Sequence, residues 1–192
     1  GSGISSSRII RALAKEQGGT AESSIWFDNG PKVPAANAAR VNALMSDAAA
    51  SDDSDLRGII HTGTTVASTS LAIAERTGAG GEEVLAAMVL GYETAGRIAE
   101  SVMPAFKQLP FHGSAVAIFG SAVACGRLLK LNERQMAQAI AIASVSMGGL
   151  AVAAETSVAR EYFAGNAAML GVNAALAAHK GFLAEETVLE AK

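Results

Sequence analysis

Cysteine is almost absent from this chain. Cys125 is the only one among 192 residues, which excludes an internal disulfide framework. It lies in an apolar run, where a buried, inert thiol is expected rather than a nucleophile. Aromatic residues are also scarce, at 5%. The core must therefore be filled by Ala, Val, Leu, Ile and Met, which suits closely packed helices. Charged residues reach only 17%, against about a quarter in ordinary soluble domains, so much of the chain should be buried. No Lys/Arg run is present, and the formal net charge is −3, so nucleic acid is not an expected partner.

Other absences narrow the chemistry. Gly1 to Ser7 lacks the basic flank and apolar run of a signal peptide, which points to a cytoplasmic location. Leu109–Gly126 and Gln135–Ala154 carry no charge, but Gly, Ser, Gln or His dilute both. A membrane span wants about 20 predominantly apolar residues, so buried helices are the better reading and no membrane is expected. There is no His-x-x-x-His pair, no cysteine cluster and no calcium-loop glycine, so no metal site is expected. A phosphate loop, a dinucleotide glycine motif and a Gly-x-Ser-x-Gly elbow are missing as well.

What is present is helical periodicity. Half of the residues are hydrophobic, and 192 residues suit one domain of ordinary size. Ile4–Gln17 reads as a helix with Ile9, Ile10, Leu13 and Ala14 on one face. Glu22–Phe27 is a short β-favouring run before an Asp28–Pro31 turn. Further helices are expected over Ala35–Ala49, Gly63–Thr77, Glu82 to about Met103, Ser114 to about Leu131, from Asn132 to Gly148, Thr156 to about Lys180, and from about Ala184. Lys107–Pro110 reads as a linker. Asn132 with Gln135 has the spacing of a capping box. Small residues recur at helical spacing, as in Gly91, Ala95 and Ala99, which lets helix axes approach closely. The expected fold is all-α: a compact multi-helix domain with small-residue helix packing, and at most a β-like segment near residues 22–27.

Two histidines precede small-residue helix starts. His61 follows the run Ser51-Asp52-Asp53-Ser54-Asp55-Leu56-Arg57 and is followed by Thr62 and Gly63. Carboxylates, a guanidinium and an imidazole beside a helix N-terminus could hold a substrate carboxylate and move a proton next to it. The plain alternative is a solvated acidic loop with a capping Asp. His112 lies in Phe111-His112-Gly113-Ser114, where glycine allows close approach of a ligand. Arg160 falls between apolar surroundings and could pair bidentately with a carboxylate. Its plain alternative is a surface ion pair with a neighbouring acid. His179, near a helix end, needs no more than a capping role.

The ordered series resembles a known family. It runs Val41-Asn42-Ala43, the Asp-rich loop, His61-Thr62-Gly63, Gly91-Tyr92-Glu93, Phe111-His112, Phe119-Gly120-Ser121-Ala122 and Ala164-Gly165-Asn166-Ala167-Ala168. The chain looks like the helical domain of the MmgE/PrpD family, which includes 2-methylcitrate dehydratase, cis-aconitate decarboxylase and iminodisuccinate epimerase. The resemblance implies a lyase or isomerase that works on a small di- or tricarboxylate without a cofactor, by dehydration, decarboxylation or epimerisation. It implies a homodimer, or pairing with a complementary chain. It implies that His61, His112, Asp53 and Asp55 are the catalytic candidates, with Arg160, Thr62 and Ser114 binding substrate. Thr62 stands where the family has proline, and Arg160 where many members have lysine. Ser51 and Asp55 fall at the first and last positions of the family's Asp-Phe-Asp-Asp-Thr stretch.

The resemblance also implies that residues 1–192 form a single helical domain, part of a larger one, with the first helices and a lid domain lying outside them. An inactive fragment, split subunit or pseudoenzyme acting as a helical dimerisation or binding module is the alternative. An unrelated helical scaffold would leave the two histidines far apart, whereas a separation within roughly 10 Å would fit a shared site.

Overall fold

The computed structural model describes residues 1–56, 58–102, 111–156 and 159–190. Among them run eight helices: α1 (Ser5–Gln17), α2 (Ala35–Ala48), α3 (Thr62–Thr77), α4 (Gly81–Val102), α5 (Ser114–Leu128), α6 (Glu133–Ser144), α7 (Ala151–Thr156) and α8 (Ala159–His179). Strand pairing among the described residues is limited to isolated antiparallel bridges. The all-α class is therefore as the sequence implies.

The centre of the fold is α5. Every residue of it except Arg127 is buried. It packs against α3, α4, α6 and α8, while α2 packs on α3 and α8. Small side chains make this crowding possible. A side chain on Gly91 would meet the Gly120 carbonyl oxygen at 2.8 Å and Val66 Cγ1 at the same distance, so α4 and α5 approach backbone to backbone. Gly171 meets α5 in the same way, with the Ile118 carbonyl oxygen at 3.0 Å. Phe119, Ile118, Val116, Val66 and Leu44 fill the space between. Cys125 is buried among them, and burial pushes its thiol up to about 12.

Local chemistry sets the helix ends. Gly78 ends α3 in the left-handed region, and its N–H bonds the Ala74 carbonyl at 2.8 Å. Asn132 caps α6: its side chain accepts from Gln135 N at 2.9 Å, and Gln135 Oε1 accepts from Asn132 N at 3.1 Å. This is the capping box expected from the spacing. The 22–27 run forms a connection rather than a hairpin, with one bridge from Ser23 to Val33. Asn42 of α2 latches it by bonding Trp26 N at 2.9 Å and the Ser24 carbonyl at 3.1 Å.

Two expectations differ from the structure. Ile9 is 62% exposed, so only Ile10 and Ala14 of its predicted face are fully buried. The helix expected over Thr156 to about Lys180 is α8, and the six-residue α7 precedes it. The final helix from Ala184 does not form, because its backbone and side chains bond elsewhere. Ala184 N donates to Gln138 Oε1, Gln138 Nε2 donates to Glu186, and Glu185 accepts from Thr187 N and Oγ1. Such local side-chain bonds compete with the helix ladder, and residues 186–190 make turns. The predicted helix end at Met103, the Lys107–Pro110 linker and Arg57 lie outside the described residues. No helix among the described residues is long and apolar enough to cross a membrane.

Candidate active site

The loop before α3 folds back on itself. Asp55 N donates to the Ile60 carbonyl at 2.9 Å and Ile60 N to the Asp55 carbonyl at 3.3 Å. Fully buried Ile60 anchors it. Asp53 Oδ1 accepts from Gly63 N at 3.1 Å, satisfying a free donor at the start of α3. Asp53 also bonds the Tyr92 hydroxyl. Burial, the charge of Asp53 and this bond push that phenol up to about 12. Asp53 is thus occupied as a cap. Asp55 lines a groove with Leu85, Met88, Val89, Tyr92 and Glu93 of α4.

The acid beside His61 is Asp52. Its Oδ2 lies 2.8 Å from His61 Nδ1, an ion-pair distance, and Ser54 Oγ lies 3.3 Å from the same nitrogen. Thr62, next in the chain, is buried at 1% exposure, so its side chain lies within the core. The backbone of His61 opens α3, and its carbonyl accepts from Thr64 Oγ1 at 2.8 Å.

His112 arrives from the other side of the fold. Phe111 bridges Leu150, and His112 N donates to the Gly149 carbonyl at 2.8 Å. Gly149 has φ +118°, a conformation that favours glycine, and a side chain there would press on the Phe163 ring at 3.1–3.3 Å. The Gly148-Gly149 break therefore holds His112 and Phe163 in place. Ser114 N donates to His112 Nδ1 at 3.3 Å, and Ser114 Oγ lies 3.0 Å from it.

The two imidazoles stack. Their centroids are 6.5 Å apart and their planes differ by 4°. Phe163 tilts against His112 at 6.1 Å. Burial, followed by the charges of His61 and Arg160, holds His112 below its ordinary value of 6.5. His112 therefore stays neutral near pH 7.

Arg160, at the start of α8, is the third member of the cluster. It pairs with Asp47 of α2, not with a neighbouring acid: Nε donates to Oδ2 at 3.1 Å, and a terminal nitrogen donates to the Asp47 carbonyl at 3.2 Å. The Asp47 side chain is 3% exposed. Burial raises its carboxyl above the usual range, while Arg160 opposes that shift. Arg160 itself is one-third exposed, which leaves N–H donors for a further anion.

The structure thus brings His61, His112, Ser114 and Arg160 together. It occupies Asp53 as a helix cap and directs Asp55 to the α4 groove. Sequence reasoning singled out neither Asp47 nor Asp52 for these pairings. A lone acid within the mostly apolar run Ala43–Ala50 was the available signal for Asp47, since an acid buried there needs a partner. Among the described residues, no group of three or more His, Cys, Asp or Glu could hold a metal ion.

No curated protein matches the chain at a significant level. The family comparison does find a match: MmgE/PrpD N-terminal domain, over residues 1–192.

Proposed function

Because this chain belongs to the MmgE/PrpD family through its N-terminal domain, we propose that it is the helical core of a cofactor-independent lyase or isomerase acting on a small di- or tricarboxylate. The observation that carries this reading is the stacked His61–His112 pair, 6.5 Å apart, with different surroundings on the two rings. Asp52 beside His61 Nδ1 holds the proton there and leaves Nε2 as the free base. Ser114 N donates into His112 Nδ1, so the proton of neutral His112 is on Nε2. His61 then takes the proton next to a substrate carboxylate, and the C–H electron pair flows into that carboxylate as an enediolate. Arg160 stabilises the growing negative charge. His112 donates its Nε2–H hydrogen bond to it. In dehydration the enediolate expels a β-hydroxyl, which leaves as water with the proton held by His61; in epimerisation a proton from solvent adds to the opposite face. In decarboxylation no C–H is broken first: the C–C bond to a carboxylate breaks, CO₂ leaves, and the carbanion takes a proton from solvent.

Titration with citraconate, cis-aconitate and aspartate-derived diacids, followed by NMR detection of C–H exchange in D₂O, tests this. Binding plus exchange that disappears in His61→Asn is the expected result. Absence of binding to every one of these acids contradicts it.

A second reading rests on α4. Leu85, Val89 and Tyr92 lie on one face at 65%, 67% and 38% exposure. An apolar stripe of this kind suits assembly with a second copy or a complementary chain. Sedimentation of the wild type against Val89→Glu reads it: the variant should shift toward monomer, and an unchanged mass rules out this face.

A further inference from the structure

Next to His112 lies a cavity of about 180 Å³ that the chemistry above does not use. Its floor is the buried surface of Ala115, Ile118 and Ala167, at 2%, 1% and 6% exposure. Its rim includes the exposed Met147 and Gly148. Three links tie it to the histidine. Ser114 lines it and bonds His112 Nδ1, Phe163 lines it and packs on the imidazole, and Gly149 lines it and accepts the His112 N–H.

No lining residue is charged, and the polar side chains it offers are Ser114, Ser146 and Asn166. An ionised carboxylate placed there would lose its water and gain no cation, which is strongly unfavourable. The cationic Arg160, paired with Asp47, is not part of its wall. The site is therefore divided into a charged half at Arg160 and an uncharged half behind His112.

We propose that this cavity is a side pocket for an uncharged, largely aliphatic arm of the substrate. This rests on the polycarboxylate reading above. At about 30 Å³ per water-sized group, 180 Å³ holds roughly six such groups. An arm of about four or five carbons fills it. The substrate class is then a dicarboxylate substituted next to one carboxylate by a short alkyl chain, and the arm's length is read by Ala167 and Leu170 of α8.

The test measures affinity for succinate, then methyl-, propyl-, pentyl- and heptylsuccinate, with propane-1,2,3-tricarboxylate as the charged-arm comparator. Affinity should rise about three- to fourfold per buried methylene up to four or five carbons and then level off. The charged arm should gain nothing over succinate. Ala167→Leu should leave succinate binding unchanged and abolish the gain. Leu170→Ala, which enlarges the space, should move the plateau to longer chains. Succinate binding with a flat response to chain length overturns the pocket while leaving the polycarboxylate reading intact. A gain that persists unchanged in Ala167→Leu, with no shift of the plateau in Leu170→Ala, overturns it too. If succinate itself fails to bind at millimolar concentration, the polycarboxylate reading falls, and the pocket proposal falls with it.

Discussion

His61 and His112 occupy equivalent places: each is followed by small residues that open a helix, α3 in one case and α5 in the other. Their surroundings are opposite. His61 stands on an acidic loop with Asp52 at 2.8 Å. No carboxylate partner is seen at His112 among the described residues. It is half-buried, accepts from Ser114 N, and is held below its ordinary pKa by burial and by the positive charges facing it. The difference shows that the environment rather than the local motif assigns the roles. Two similar groups whose surroundings push them apart can serve as base and neutral donor in one site.

The largest expected effect comes from removing either ring. His61→Asn, which deletes the proposed base, should slow C–H exchange by about 10²–10⁴-fold. His112→Phe, which deletes only a donor to developing charge, should cost about 10²–10³-fold. Equal losses with an unchanged pH profile in both variants would break the distinction.

Arg160 joins the two halves, and Arg160→Ala tests that link. It strips the proposed carboxylate anchor and leaves the Asp47 carboxylate buried without its partner. Denaturation should report a loss of about 1–3 kcal/mol, together with weaker diacid binding. Adding Asp47→Leu should recover stability without recovering binding, which separates the structural role from the binding role.

Gly149→Ala touches only the His112 half. It forces a side chain into φ +118° and against Phe163, so a loss of about 1–3 kcal/mol is expected. His112 resonances should move further than those of His61.

The smallest effect is on pH-dependent stability. The unfolded chain takes up a proton at His112 near 6.5, whereas the folded chain resists until its lowered value is reached. Between those two points the unfolded state binds more protons. Stability therefore falls as pH drops through this window. His112→Gln should flatten that part of the curve. A wild-type stability that rises on acidification from pH 6.5 would show that other groups dominate.

The sequence makes the fold legible wherever a signal is local. The capping box at Asn132, the Gly78 stop and the small-residue faces of α4 and α5 are of this kind. It does so less well where distant residues decide. Gln138 captures Ala184 N and Glu186 from across the chain, and no local pattern reveals that α8 is not followed by another helix. The site divides in the same way. Two histidines before small-residue helix starts are visible in one dimension. The choice among Asp52, Asp53 and Asp55 is not, because it depends on how the loop turns at Ile60 and on Tyr92 arriving from α4. Asp47 and Arg160 are 113 residues apart, and only the packing of α2 on α8 joins them.

Nitrogen-15 NMR of the two imidazoles at neutral pH, with a titration toward acid, reads the protonation of each ring. Expected are a neutral His112 with its proton on Nε2 and a titration midpoint below 6.5, and a His61 with its Nδ1 protonated toward Asp52. A His112 that carries its neutral proton on Nδ1, or that titrates at or above 6.5, would contradict the division of roles between the two rings.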